Sequence, residues 1–356
     1  MSTDNPAAQL ASDISSLQGE LNSLQGKVRL ASQRDALEDL TTTVHGLASR
    51  VSALRARGFA FGKELEQKAT AWVEQWRELR ASVQQQIDAQ ATQLEYELRL
   101  IESQMTQLVA WSSNPDMANP LVAQIKALTS ALNSKVDAVA NTITGSYNSF
   151  KSELDKVTSY LQKIEWMYKQ LDEATFKLRP TESGIMAVEA AWYQQVKKKV
   201  DTDPDGVLYL TDQRLILEQK EEVATKKVLF ITTAKEKVQK VVLEAPLDKI
   251  EKVDSIDKGL FGHEDHLEVH FGSGVPTRMA HFHLKGQDNE EWKRLIGRAQ
   301  AHEFDGDRAI AIEQTAVDKV KAAPTKCPTC GGPITQTVTR GMDSIKCDFC
   351  GAVIRL

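Results

Sequence analysis

From about residue 7 to residue 179, apolar positions recur mostly at spacings of three and four, and strand-like alternation is almost absent. The first run is Leu10, Ile14, Leu17, Leu21, Leu24 and Val28; after a shift it resumes as Leu30, Leu37, Leu40, Val44, Leu47, Val51 and Leu54. Such a heptad stripe predicts a helix that packs along its length. Gly58 and Gly62 interrupt it. A second stripe, running from Leu65 through Trp72, Trp76, Val83, Ile87, Leu94 and Ile101 to Leu108, predicts a helix from Lys63 to about Trp111. The segment SSNPDMANP, 112–120, stops it, and Asn119–Pro120 reads as the cap and first turn of a third helix. That helix carries a stripe from Leu121 to Leu171 and is expected to end at Arg179–Pro180, because the residue before proline is pushed out of the helical region.

Helices of roughly 50 residues are on the order of 75 Å long, and their short connections make consecutive ones antiparallel neighbours. Residues 1–180 therefore read as a three-helix coiled-coil rod. The competing arrangement pairs the first helix with another copy of the chain. Val73 beside Trp72 and Val109 beside Leu108 widen the apolar face beyond a two-helix seam. That suits either a third helix or a homo-oligomer formed through the rod.

Between about 183 and 304 the period changes to two. In GVLYLTDQRLILEQ, 206–219, the runs Val207–Thr211 and Arg214–Glu218 flank Asp212–Gln213, which predicts a tight hairpin. Further strands are expected at Lys227–Thr232, Val238–Leu243, His266–Phe271 and Arg278–Leu284, the last two joined by the turn-like GSGVPT. An amphipathic helix closes the segment over 289–304, with Trp292, Leu295, Ile296 and Ala299 on one face. Gly206, Leu208, Leu210, Thr211, Arg214, Leu215 and Leu217, and the later APLDKIEKV at 245–253, resemble the GRAM and bacterial PH-like domains. The resemblance covers about a third of the chain. It implies a partly open β-barrel capped by a helix, and says little about function, which must be argued from a site.

Residues 305–325 read as a linker, helical in part. Residues 326–356 contain Cys327-x-x-Cys330, sixteen residues, then Cys347-x-x-Cys350. Two thiolate pairs so spaced can reach one tetrahedral ion at about 2.3 Å. Gly331 and Gly351 follow the pairs, where a knuckle turn needs positive φ. Strands are expected at Ile334–Thr339 and Ser344–Lys346. A unit this small needs metal to fold, so the cofactor expected is Zn2+ held by four cysteines in a zinc ribbon. A rubredoxin-type iron, a redox dithiol and idle thiols are the alternatives; two matched pairs argue against a redox role, which needs only one. The fold class expected is multidomain α+β: a long antiparallel helical bundle, a PH-like β-barrel with a C-terminal helix, and a small zinc ribbon.

Formal charge is −5 over 356 residues, which gives no global attraction to nucleic acid or anionic lipid. No stretch is apolar enough to span a bilayer, and MSTDNPAAQLASD lacks the features of a secretory signal. All four cysteines fall within 24 residues, unlike a disulfide framework. A cytoplasmic chain, peripheral at most to the inner face of the membrane, is expected.

Lys197, Lys198, Lys199, Lys226 and Lys227 form a candidate anion or lipid contact; the simpler reading is ordinary surface lysines, because carboxylates are abundant nearby. His266 and His270 on one strand, with His281 and His283 on its neighbour, form a candidate second metal or pH-sensitive site. The simpler reading, preferred here, is a solvated sheet face. The segment Gly58–Lys63 resembles half a phosphate loop, but it is too short and has Glu64 where Ser or Thr is required. Phe59 and Phe61 at that tip could dip into a membrane, but aromatics so placed more often cap a bundle end. There is no catalytic constellation. The chain reads as a non-enzymatic scaffold or adaptor that contacts a protein partner or a membrane surface. A nucleic-acid-associated ribbon protein, or a regulatory subunit of an enzyme or transporter, is the alternative; the ribbon has few basic residues and only Phe349 as an aromatic, which disfavours nucleic acid.

Overall fold

A computed structural model describes residues 6–194, 203–228, 231–258, 264–336 and 338–356, with the backbone alone over 222–228 and 231–236. The chain divides into two compact units, Met1–Ser49 with Gln67–Thr158, and Arg50–Glu66 with Ser159–Leu356.

The first unit is helical. Its chain supplies α1 (Pro6–Lys27) whole, and most of α2 (Ala31–Ala56), α3 (Leu65–Ala110) and α4 (Pro115–Glu173). The shift in the first apolar stripe corresponds to a physical break. Leu30 takes a φ of 52°, which resets the helical phase so that Val28 and Leu30 can both be buried. Cross-helix bonds give the directions. Gln25 donates to Glu102 at 2.7 Å, Arg34 to Asp88 at 2.7 Å, and Trp76 Nε1 to Thr41 Oγ1 at 3.0 Å, so α3 runs antiparallel to α1 and α2. Lys135 pairs with Glu97, Ser146 Oγ lies 3.3 Å from Gln86 Oε1, and Trp76 stacks on Phe150, so α4 runs antiparallel to α3.

Both ends of the third long helix differ from expectation. It starts at the earlier Asn-Pro pair: the Met117 and Ala118 N–H groups donate to Asn114 O, and Pro120 lies inside the helix. It stops at Glu173, before Pro180 is reached. The cause is a competing acceptor, the buried Glu218 carboxylate, which takes Thr175 N–H and Thr175 Oγ1–H at 2.7 Å each.

The second unit is organised by a seven-stranded antiparallel sheet in the order β4-β3-β2-β1-β7-β6-β5. The strands are β1 (Gly184–Trp192), β2 (Asp205–Thr211), β3 (Arg214–Val228), β4 (Ile231–Pro246), β5 (Ile250–Lys258), β6 (Glu264–Phe271) and β7 (Met279–Lys285). The β2–β3 hairpin lies where alternation placed it. Strand β1 was not legible, because GIMAVEAAW is buried on both faces and so does not alternate. Of the stretch 227–232, residues 229 and 230 lie outside the described residues; Lys227 and Val228 end β3, Ile231 and Thr232 begin β4, and Val228 pairs with Ile231. After β7, Asp288 caps α5 (Asn289–Gln300) by accepting from Glu291 N, and Trp292, Ile296 and Ala299 are buried. The sheet is two meanders, β1–β4 and β5–β7, joined by the β1–β7 pairing and followed by a helix, which fits in outline the helix-capped β-structure expected from the PH-like resemblance.

Residues 305–325 are more than a linker. They carry part of a 3-10 turn (Glu303–Asp307) and α6 (Gln314–Lys321), and they bind the 58–62 tip: Ala309 N donates to Ala60 O at 2.7 Å and Gly62 N to Asp307 Oδ2 at 3.1 Å. In the ribbon, β8 (Ser344–Lys346) pairs with β9 (Val353–Arg355). Residues 334–336 and 338–339 are not strand; the chain there closes the first knuckle, with Lys326 bridged to Pro333 and Ile334 N donating to Thr325 O.

Candidate functional site

The motif that carries the family resemblance is structural. Gly206 faces β3 so closely that a Cβ would lie 1.9 Å from Glu218 O, which leaves no room for a side chain. Thr211 Oγ1 accepts from the backbone N–H of Gln213 and Arg214 at 3.1 and 2.9 Å, which ties the turn, and donates to Glu182 Oε1 at 2.7 Å. The Arg214 guanidinium makes a two-pronged bond to Glu182, both arms 2.8 Å, and a third to Glu244 at 2.9 Å. Both Arg214 and Glu182 are buried. Removing one partner strands a charge and costs roughly 3–5 kcal/mol.

The same turn anchors the C-terminal ribbon. Buried Asp212 accepts from Arg308 at 2.7 Å and from Arg340 at 2.6 Å. Gly341, at a φ of +80°, sits where a Cβ would come 2.2 Å from Pro180 O. Arg179 bonds Thr339 Oγ1 at 2.5 Å. The four cysteines beyond this anchor converge. Their sulphurs all lie within 4.8 Å of one another, with Cys327 to Cys350 and Cys330 to Cys347 each 3.7 Å. Four sulphurs around one tetrahedral ion at about 2.3 Å would stand about 3.8 Å apart. The two knuckles repeat each other: Gly331 N donates to Cys327 O and Gly351 N to Cys347 O, while Cys327 N donates to Gly332 O and Cys347 N to Ala352 O. Gly331 and Gly351 have φ of +73° and +74°, as the turn requires. The Cys330 and Thr329 N–H groups hold the Cys327 thiol down to about 6 despite its burial. Gly332 N–H also pulls on Cys330, but the neighbouring thiols and burial push it up to about 12. Four sulphurs this close on two matched knuckles form a donor set that one cation can share. The cluster is thus compatible with a metal site.

Beside the Asp212 anchor lies a cavity of about 640 Å³. Leu247 from the 3-10 turn after β4, Ala299 of α5, Val317 and Val320 of α6, and Val338 form its aliphatic part, and charged or polar residues such as Asp248, Lys321 and Arg340 the rest. Gln213 also lines it; this residue is 6 % exposed, and neither its Oε1 nor its Nε2 has a hydrogen-bond partner. An unpartnered buried amide costs about 1–3 kcal/mol. Sequence reading missed Gln213 as a functional residue, since nothing in a turn dipeptide marks an amide as unpaired.

The histidines do not lie on a solvated face. His266 and His281 are fully buried. The register places His266 opposite His283 and Glu268 opposite His281, and Tyr193 rings the group, within 6.0 Å of all three imidazoles. His270 stands apart, half-buried and 3.0 Å from Glu268. Burial pushes His266 down to about 4, opposed by Glu264 and reinforced by His283, His281 and Lys258. Burial, aided by Lys258, lowers His281 as well.

Of the lysine candidates, Lys197, Lys198 and Lys199 lie outside the described residues, as do the side chains of Lys226 and Lys227. Phe59 and Phe61 are buried, and so have no part in a membrane-dipping tip. Phe61 meets Phe304 at 5.3 Å, Phe59 meets Tyr160 and Tyr168, and Arg55 donates to the carbonyls of Phe59, Phe61 and Gly62. Among the described residues, no helix is long and apolar enough to cross a membrane.

No family model matches the chain, and no curated protein matches it. Among solved structures it is similar to the Vps36 N-terminal PH domain, at 19% identity over 35% of this chain and 84% of that one, with a TM-score of 0.24. It is also similar to the DH/PH domains of p115-RhoGEF, at 12% identity over 84% and 95% with a TM-score of 0.21. A structure of Vav1 with an allosteric inhibitor matches at 11% identity over 95% and 96%, with a TM-score of 0.27. The first two of these are a PH domain and a DH/PH pair, but overlaps this low carry no argument about this chain; its likeness to PH-like domains remains a resemblance, carried by the Thr211–Arg214 segment and by strands followed by α5.

Proposed function

We propose that the chain is a non-enzymatic cytoplasmic adaptor whose PH-like unit takes an extended apolar segment of a protein partner into the cavity at Gln213. One observation carries this reading: a buried primary amide, with donor and acceptor both unpaired, in a cavity whose wall mixes aliphatic side chains with charged and polar ones such as Asp248, Lys321 and Arg340. A side-chain amide presents its donor and acceptor side by side. It can therefore bond the N–H and C=O of an extended backbone, while the aliphatic part of the wall, Leu247, Val317, Val320 and Val338, takes the flanking side chains. The volume falls in the range of ligand pockets, about 300–1,000 Å³.

In this reading zinc is the ion of the four-cysteine site. Its donor set suits zinc, and four thiolates leave no open position for catalysis. The ribbon supplies Val338, Thr339 and Arg340 to the cavity wall, so the metal holds that wall in place. A protein partner is favoured over a membrane, because the aromatic tip is buried. A regulatory-subunit role differs only in what the partner is.

The test places a photo-crosslinking residue at Val320, in the cavity, and separately at exposed Glu20 on α1, in full-length protein in its native cell. A discrete adduct from position 320 that disappears in Gln213→Leu is expected. Adducts equal from both positions, or an adduct from 320 that survives Gln213→Leu, contradict the reading.

A further inference from the structure

The hydrogen-bond roles in the histidine cluster can be assigned in sequence. Glu268 Oε2 lies 3.4 Å from His281 Nδ1, and a carboxylate only accepts, so His281 Nδ1 carries a proton. Lys258 Nζ lies 3.0 Å from His281 Nε2, and an ammonium only donates, so His281 Nε2 is an acceptor. His266 Nδ1 also lies 3.0 Å from that same Nε2, and as a donor it shares the lone pair with Lys258. In a neutral imidazole this leaves His266 Nε2 with a bare lone pair, and that atom points at Glu264 Oε2, 3.3 Å away. With that tautomer the pair calls for a shared positive charge, a proton or a metal ion.

A cation resolves that contact, and a third ligand stands beside it. Glu264, His266 and His283 each offer one ligand atom, all within 4.8 Å of one another. The His283 ring stacks alongside His266 at 4.8 Å and 18°, and its Nδ1 is held by the Tyr193 hydroxyl at 3.4 Å. We propose that Glu264, His266 and His283 form a second metal site, for a borderline divalent ion of the zinc class, at one end of the β6–β7 hairpin. Two imidazoles and a carboxylate form a three-ligand set with room for water or a further donor. Behind the ligands, Glu268 and His281 form the outer chain that such sites use to fix tautomer and ring orientation. Glu264, about half exposed beside the buried His266, gives the ion a route in from solvent. The site is separate from the cysteine cluster and from the Gln213 cavity, and depends on neither.

Cobalt(II) titration of chelator-stripped, reduced full-length protein tests this. One equivalent should give the intense thiolate-to-cobalt band of the cysteine site. A second should give only the weak visible bands of nitrogen and oxygen ligation. Glu264→Gln, on a half-exposed side chain, and His283→Gln should each weaken the second equivalent by about tenfold or more without changing the thiolate band. Glu268→Gln, acting through His281, should weaken it about 10- to 100-fold. Binding of a single equivalent by wild-type protein, or a second equivalent unchanged in both Glu264→Gln and His283→Gln, overturns the proposal. Loss of the thiolate band alone would count against the cysteine site and leave this one standing.

Discussion

The cysteine cluster and the histidine cluster both gather metal-ligating side chains, and they do it by opposite means. Each cysteine pair sits on one turn, where the bond from Gly331 N to Cys327 O, or from Gly351 N to Cys347 O, brings two sulphurs together within five residues. The histidines are brought together by pairing: His266 and His283 meet only because β6 and β7 align in one register. The two clusters should therefore fail in different ways. The ribbon has little core of its own, a handful of residues around Ile345 and Ile354, so its ligands and its fold should be lost together. The histidines rest on a sheet whose core includes Leu267, Val269, Phe282 and Leu284, so their ligand function should be separable from folding.

The largest effect is therefore expected at the ribbon. Cys347→Ser should abolish metal binding there and unfold residues 326–356, since structural zinc contributes on the order of 10 kcal/mol in such units. Hydrogen exchange should show protection lost in the ribbon and kept in the β2–β3 hairpin. Equal loss in both would break the contrast.

Next in size is the Arg214–Glu182 pair. Arg214→Ala should destabilise the second unit by about 3–5 kcal/mol, measured by denaturant melts. Gly341→Ala should cost less, about 1–3 kcal/mol, from its positive φ and the contact with Pro180, and should loosen the ribbon. Gln213→Leu should go the other way. Replacing an unpaired amide by an aliphatic group should raise stability by about 1 kcal/mol while abolishing partner capture. A gain in stability with loss of binding is what separates a binding residue from a packing one.

The smallest effect is at alkaline pH. Burial raises the Tyr160 phenol to about 12 and moves Tyr168 the same way. The unfolded chain ionises these groups near pH 10, and the folded chain does not. Their contribution is complete below pH 10 and declines as pH rises toward 12. Tyrosinate absorbance and melting temperature, followed together from pH 9 to 12, check it.

What could be read from the sequence follows the same division between local and long-range. The helical stripes, the Asp212–Gln213 turn and the cysteine spacing are all set within a few residues, and each lies close to where periodicity or spacing put it. The start of α4 was misplaced because two Asn-Pro pairs occur five residues apart, and local rules favour either. The histidine face was misread as solvated because alternation reveals which residues share a face, and not what covers it. Tyr193, near the end of β1, covers part of that face, and β1 itself was hidden by burial on both sides. The dual use of Asp212 by Arg308 and Arg340 joins residues some 100 and 130 positions apart, beyond any local signal.

In the proposed function the four cysteines hold one metal ion, and that ion keeps the ribbon wall in place. X-ray absorption at the zinc edge, on reduced full-length protein loaded with one equivalent of zinc, measures this directly. Four sulphur neighbours at about 2.3 Å are the predicted result. A shell dominated by nitrogen and oxygen, or zinc that washes away while the cysteines remain reduced, would contradict it.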